Sequence, residues 1–357
     1  MLRSRRVWLG MVLSLVFLAF FIYRSRSDLG EIPDAFAHAN YWWVAASIPV
    51  YFAGAWFRAW RWKYLMRPLG ELRVTALYPI VIIGFMANNL IPARAGELVR
   101  AYIVGERHQV SKMAALGTIA VDRVFDGITL LPFLLIVVAV SGANFGLTAF
   151  HFNVDLRGIA IFMALLFGLG LALLVVLALS EELSRQFVAL VLRFVPARFK
   201  PQARTLTESF LTGLHSFRSP TDIFLASATS VVSWLLEATM YYMVGLAFGL
   251  HLGFDVYLLI CAGANLLIAV VATQGGVGPF EFLAQQTAIY FGVDAGLATA
   301  YAVALHALVL LPVIGVGLYA LWAINLSLGE VLSGRGATPA TEPASVQPSL
   351  RDDREAP

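Results

Sequence analysis

Eight apolar segments, at about 7–23, 41–57, 74–91, 114–140, 158–179, 222–250, 256–273 and 297–325, leave this chain few ways to fold in water. Crossing a bilayer takes roughly 20 apolar residues. Inside the hydrocarbon every backbone N–H and C=O must be paired, a demand that helices meet within one segment. Of the 357 residues, 59% are hydrophobic and only 13% charged, where a soluble domain carries about a quarter charged residues. The pattern predicts an all-α polytopic membrane protein.

The basic residues set the expected topology, because cytoplasmic loops carry the Lys and Arg excess. Eight simple crossings would put the loop 180–219, with Arg185, Arg193, Arg198, Lys200, Arg204 and Arg218, on the same outer side as 94–112. Both loops become cytoplasmic if 74–91 enters and returns as one limb of a re-entrant hairpin. From Ser219 to Gly334 the chain has no Lys or Arg, and 256–273 is read as a second re-entrant limb, entering from the opposite side. The expected plan is six spanning helices plus two opposed re-entrant hairpins, or eight helices if the hairpins span. The membrane domain is expected over 1–332, beginning with an uncleaved signal anchor, with a disordered cytoplasmic tail at 333–357 and both termini in the cytoplasm.

The hairpin-containing stretches, 74–140 and 256–325, repeat one another. Each limb ends in a glycine-containing break, Pro92-Ala93-Arg94-Ala95-Gly96 and Gln274-Gly275-Gly276-Val277-Gly278-Pro279. A glutamate follows each break (Glu97, Glu281), and 25 residues after each glutamate comes an ionisable residue, Asp122 or His306. Leu-Leu-Pro follows in both helices, at Leu130–Pro132 and Leu310–Pro312. Two such units in opposite orientation make an inverted repeat, a transporter plan. Pro79 and Gly84 are expected to bend the first limb.

The candidate substrate-binding residues sit at the breaks. Asn88, Asn89, Arg94, Gly96, Glu97 and Arg100 surround a helix start whose free N–H groups suit an anion, and arginine forks suit phosphate. Gly275, Gly276, Gly278 and Glu281 form the partner break, where glycine permits positive φ. Arg123 joins this group. Asp122, Asp126, Glu237 and His306 are the proton or ion-pair candidates, because ionisable residues within spans are costly and mark function. Arg58–Tyr64 reads as an interfacial belt, and 181–217 as amphipathic helix on the cytoplasmic face. No GxxxxGK[ST] motif occurs, and the single cysteine, Cys261, offers neither a disulfide nor a metal cluster. Neither a catalytic residue, a metal, a cofactor nor a nucleic-acid partner is expected.

The order Asn-x-Leu-x-Pro-x-Arg-x-Gly-Glu-x-x-Arg, acidic-Arg-x-x-Asp and Gly-Gly-x-Gly-x-x-Glu resembles the lysylphosphatidylglycerol-synthase transmembrane-region family of flippase-like proteins, over about 7–330. Asp122 stands where the family commonly has Glu, and Gln274 where it commonly has Pro. The aminoacyl transfer for which the family is named resides in an additional soluble domain. With a longest cytoplasmic loop of about 40 residues, the expectation here is the lipid-translocating part alone. The resemblance implies a flippase of a bacterial inner membrane, moving an anionic or amphipathic lipid: a phospholipid, aminoacyl-lipid, hopanoid or lipid-linked intermediate. Membrane lipids and a lipid-biosynthesis enzyme are the implied partners. The alternatives are a non-transporting accessory subunit of a lipid-synthesis complex and, third, an integral-membrane headgroup transferase.

Overall fold

A computed structural model describes residues 30–91, 95–141, 146–149, 152–214, 219–271 and 273–326, together with Val16, Ala19 and Tyr23. The expected first crossing at 7–23, Arg94 and the tail 333–357 lie outside the described residues or nearly so. Among the described residues the regular structure is helical apart from one small hairpin, β1 (Gly146–Ala149) against β2 (Phe152–Asp155), in the loop between the third and fourth expected crossings. The helices are α1 (Ile32–His38), α2 (Tyr41–Met66), α3 (Val74–Leu90), α4 (Gly96–His108), α5 (Lys112–Ser141), α6 (Leu156–Leu179), α7 (Glu181–Arg193), α8 (Lys200–Gly213), α9 (Pro220–Ala247), α10 (Phe254–Val271), α11 (Pro279–Tyr290) and α12 (Ala295–Ala323).

Local chemistry sets several of these boundaries. Ser219 caps α9 by accepting from the Asp222 N–H, and Pro220 occupies the first turn, where its missing N–H costs nothing. Asp294 caps α12 by accepting from Gly296 and Leu297. Gln109 ends α4 in the left-handed region, at φ 54°. Among the described residues, α9 and α12 are long and apolar enough to cross a bilayer, and α2 with the turn to Leu69 meets α3 at 112° as a third candidate.

Helices α2 and α9 form the central pair. They run antiparallel: the Asn40 N–H donates to the Ala247 carbonyl at one end (2.8 Å), and Arg67 pairs with Asp222 at the other. Close approach at Gly54 lets the Ser233 hydroxyl donate to the Gly54 carbonyl at 3.0 Å. Small residues at such crossings are how membrane helices gain packing without a hydrophobic driving force. Around this pair the packing is reciprocal: α3 lies against α4 and α12, while α10 lies against α11 and α5. The two helix–break–helix units therefore exchange partners, each first limb resting on the long helix of the other unit.

One expectation needs correction. Arg58–Tyr64 is not an interfacial belt: Arg61 and Trp62 are 1% and 0% exposed, because partners on α5 and α9 draw that face of α2 into the bundle. Limb α3 is one continuous helix through Pro79. Its Gly84 makes room for the Arg100 side chain, whose Cγ would lie 2.5 Å from an added Cβ. The expected amphipathic stretch forms α7 and α8, which leave Leu190, Phe194, Phe199 and Leu206 exposed.

Candidate functional site

Asp122 and Asp126 share one face of α5, four residues apart, and meet an arginine fork from α2. Arg61 Nε donates to Asp122 Oδ1 at 2.7 Å, Nη2 lies 2.8 Å from Asp126 Oδ1, and Nη1 donates to Ser230 Oγ at 2.8 Å. Arg100 reaches the other oxygen of Asp122 at 3.0 Å, with its guanidinium 4.1 Å over the Trp62 ring. Arg123 donates to Asp126 Oδ2 at 3.0 Å and faces Glu97 at 3.5 Å. The Trp234 indole N–H donates to Asp126 Oδ1 at 3.2 Å. Each charge would cost about 2.5–3.5 kcal/mol at a bilayer centre; here each one faces an opposite charge.

This ion layer backs a polar cavity of about 140 Å³, which lies between the two breaks. Arg58 and Glu237 line it and pair at 2.5 Å. The Arg58 guanidinium sits 4.2 Å over the Trp234 ring, and Asn265 donates to Glu237 Oε1 at 3.1 Å. The Thr273 hydroxyl faces the cavity, buried and without a partner.

The second break is a turn of unusual backbone. Gly275, Gly276 and Gly278 have φ of 61°, 78° and 94°, which side chains disfavour. Glu281 holds the turn from within α11, its Oε2 accepting from the Gly278 N–H at 2.7 Å. Its Oε1 is 2.7 Å from His306 Nδ1, and His306 Nε2 is 2.9 Å from the Gly275 carbonyl. The Phe280 ring stacks on the imidazole, with centroids 4.5 Å apart. At the first break the Gly96 N–H donates to Asn88 Oδ1 at 2.8 Å. The breaks touch: Gln274 Nε2 donates to the Leu90 carbonyl at 3.0 Å.

The structure gathers the sequence candidates in layers. Asn88, Asn89, Arg123, Glu237, Gly275, Gly276 and His306 line the cavity. Glu97, Arg100, Asp122 and Asp126 lie behind it in the ion layer, with Gly96 at the start of α4. Gly278 and Glu281 fix the turn, and Arg94 lies outside the described residues. Glu237 and His306 are both paired, with Arg58 and Glu281. Sequence reasoning missed Arg58, Arg61, Trp234, Asn265 and Thr273 as site residues. Two arginines three apart in an aromatic helix, and a lone Asn in an apolar one, were the available signals.

The fold and site define a multi-pass helical membrane protein with a polar, ion-paired centre. Residues 7–317 match the family described as the Lysylphosphatidylglycerol synthase TM region, and the chain belongs to that family. A UPF0104 membrane protein of Methanothermobacter thermautotrophicus is 25% identical over 285 residues, covering 76% of this chain and 82% of the relative. A second protein of that name and organism is 25% identical over 295 residues, covering 80% and 83%. A Haloferax volcanii protein named Glycosyltransferase AglD is 26% identical over 303 residues, covering 78% of this chain but 48% of the relative. No solved structure matches.

Proposed function

We propose that the chain is a lipid flippase of a bacterial inner membrane, with six crossing helices and two re-entrant hairpins, α3–α4 and α10–α11, inserted from opposite sides as an inverted repeat. The observation that carries this reading is the contact of the two breaks, Gln274 to Leu90, beside a polar cavity in an apolar bundle. Irregular backbone at membrane depth is tolerated where it is buried in protein or lines a cavity, and transporters place substrate sites where two repeats meet at discontinuous helices. The antiparallel α2–α9 pair and the reciprocal packing support the inversion.

The cargo is a lipid with a polar headgroup: a phospholipid, aminoacyl-lipid, hopanoid or lipid-linked intermediate. Its headgroup would enter between the tips while its chains stay in the bilayer. Arg58 and Arg123 are the cavity's cations, and both already face carboxylates. An anionic headgroup therefore has to replace a carboxylate on one of them. Arg100, buried under Trp62 and bound to Asp122, would shape the site rather than touch cargo. The test is leaflet exchange of labelled lipids in liposomes containing the purified protein. Exchange that falls at least tenfold in Arg58→Ala and Arg123→Ala, with both variants inserted and folded, is expected. Exchange unchanged by both would remove the cavity from the transport path.

An accessory role in a lipid-synthesis complex is favoured by one feature, the exposed Phe194 and Phe199 on the α7–α8 segment, at 80% and 48%. Co-purification with a lipid-synthesis enzyme, together with no exchange by the isolated chain, would select it.

A further inference from the structure

A backbone carbonyl accepts hydrogen bonds and cannot donate them. The 2.9 Å contact of His306 Nε2 with the Gly275 carbonyl therefore puts a hydrogen on Nε2. The other ring nitrogen lies 2.7 Å from Glu281 Oε1. A neutral imidazole with its hydrogen on Nε2 has a lone pair on Nδ1, which would repel an ionised carboxylate at that distance. A second hydrogen must lie between Nδ1 and Oε1. Imidazolium facing carboxylate and neutral imidazole facing carboxylic acid both satisfy this, and both hold the same single extra proton.

We propose that Glu281 and His306 form a one-proton site that latches the second hairpin tip, and that losing this proton opens the cavity. Without it, the imidazole keeps one hydrogen for two acceptors. If that hydrogen stays on Nε2, Glu281 is repelled and its hold on the Gly278 N–H loosens. If it moves to Nδ1, the Gly275 carbonyl is repelled. Either way the glycine turn loses an anchor beside Asn89, where the two tips meet. The proton passes to water that reaches the cavity past His306, which lines it, and its loss then favours the open tip. The inference deepens the transport reading and rests on it for its purpose, supplying the coupling ion for one side of the cycle.

Among the described residues, the first hairpin shows no such device. There Glu97 faces Arg123 at 3.5 Å, and arginine does not give up its proton in proteins. Other titratable or charged groups near His306 belong to the cavity wall: Arg58 and Tyr51 on α2, Glu237 and Tyr241 on α9, Arg123 on α5. Arg58 and Glu237 compensate one another, as do Arg123 and Asp126. From α3 the cavity receives the neutral amides Asn88 and Asn89. Glu281 is thus the charge that decides the state of His306.

The latch is tested by thiol labelling of Thr273→Cys in a Cys261→Ala background, using the purified full-length protein in nanodiscs. Thr273 is 4% exposed and lines the cavity, so its labelling reports tip opening. Rates are normalised at each pH to the unfolded protein, which removes the thiol's own titration. As pH rises from about 5 to 8, labelling is expected to increase at least tenfold, as for the loss of one hydrogen bond to a charged group. His306→Gln should label fast throughout, and His306→Arg slowly throughout. A flat profile in the Thr273→Cys parent overturns the latch, and so does a His306→Gln profile that still rises with pH. Lipid exchange with a flat profile would spare the transport reading; a rising profile with no exchange of any lipid would spare only the latch.

Discussion

Replacing Arg61 with alanine withdraws one guanidinium from Asp122, Asp126 and Ser230 at once. Removing one partner of a buried ion pair costs about 3–5 kcal/mol, because the stranded charge stays buried. Two features bring the expected loss to the lower end. Asp122 keeps Arg100, and Asp126 keeps Arg123 and Trp234. The expected cost is about 3 kcal/mol, roughly a hundredfold in the unfolding equilibrium. Reversible unfolding in mixed micelles, followed by tryptophan fluorescence, measures it. Asp122→Ala should cost a similar amount, since it strands Arg100, while Arg61 keeps Asp126 and Ser230. The double variant should fall short of the sum by about 1–3 kcal/mol, the coupling expected of residues in one network. A loss below about 1 kcal/mol for Arg61→Ala, or strictly additive single variants, would refute the claim that these charges act as one buried unit.

Gly213→Ala is expected to destabilise by about 1–3 kcal/mol through overpacking, since its methyl would run into the Ala114 carbonyl and lie 2.9 Å from Gly117 Cα, backbone that cannot yield; thermal unfolding in detergent reads this out. Glu237→Gln should leave the fold intact but free the Arg58 guanidinium, raising retention of anionic lipid while slowing its exchange; competition binding beside the exchange assay separates the two. Backbone N–H donation, from Leu297 first, holds the Asp294 carboxyl below the usual carboxylate range. Its lowered folded-state value means that the cap stabilises α12 above the ordinary carboxylate pKa, and that this contribution fades as pH falls through the folded value. Asp294→Asn should flatten that acid-side dependence in thermal unfolding.

Composition and hydropathy were enough to read the helices. The segment 222–250 became Pro220–Ala247, and 256–273 became Phe254–Val271, because apolar length is a local property, as are the Ser219 cap and Pro220 that start α9. The 25-residue spacing of Glu281 and His306 was also visible, and in the structure the two are in contact. What the sequence hid is pairing across long separations. Arg58 and Arg61 lie where a basic, aromatic helix end would meet the lipid surface. They are buried only because Glu237, Ser230, Asp122 and Asp126 arrive from helices 61 to 179 residues away. A rule that weighs each charge by its own helix cannot see compensation from another.

That compensation is distributed unevenly between the two repeats. The first repeat places Arg100, Asp122, Arg123, Asp126 and Glu97 in one connected network with Arg61, tying α2, α4 and α5 together by ions of which Arg61, Arg100 and Asp122 are fully buried. Separating them would expose stranded charges, each costly in a low-dielectric interior. The second repeat has one corresponding contact, Glu281 with His306, plus hydrogen bonds to glycine backbone. Its tip has Gly275, Gly276 and Gly278 in positive φ, and no buried ion network like that of the first repeat ties it down among the described residues. If one hairpin moves while the other holds, the energetics select α10–α11 as the mover and α3–α4 as the fixed wall. On the transport reading, the first unit would then frame the cavity and the second would open it. What separates the two breaks is the partner facing each glutamate: an arginine, which keeps its proton, at the first and a histidine at the second.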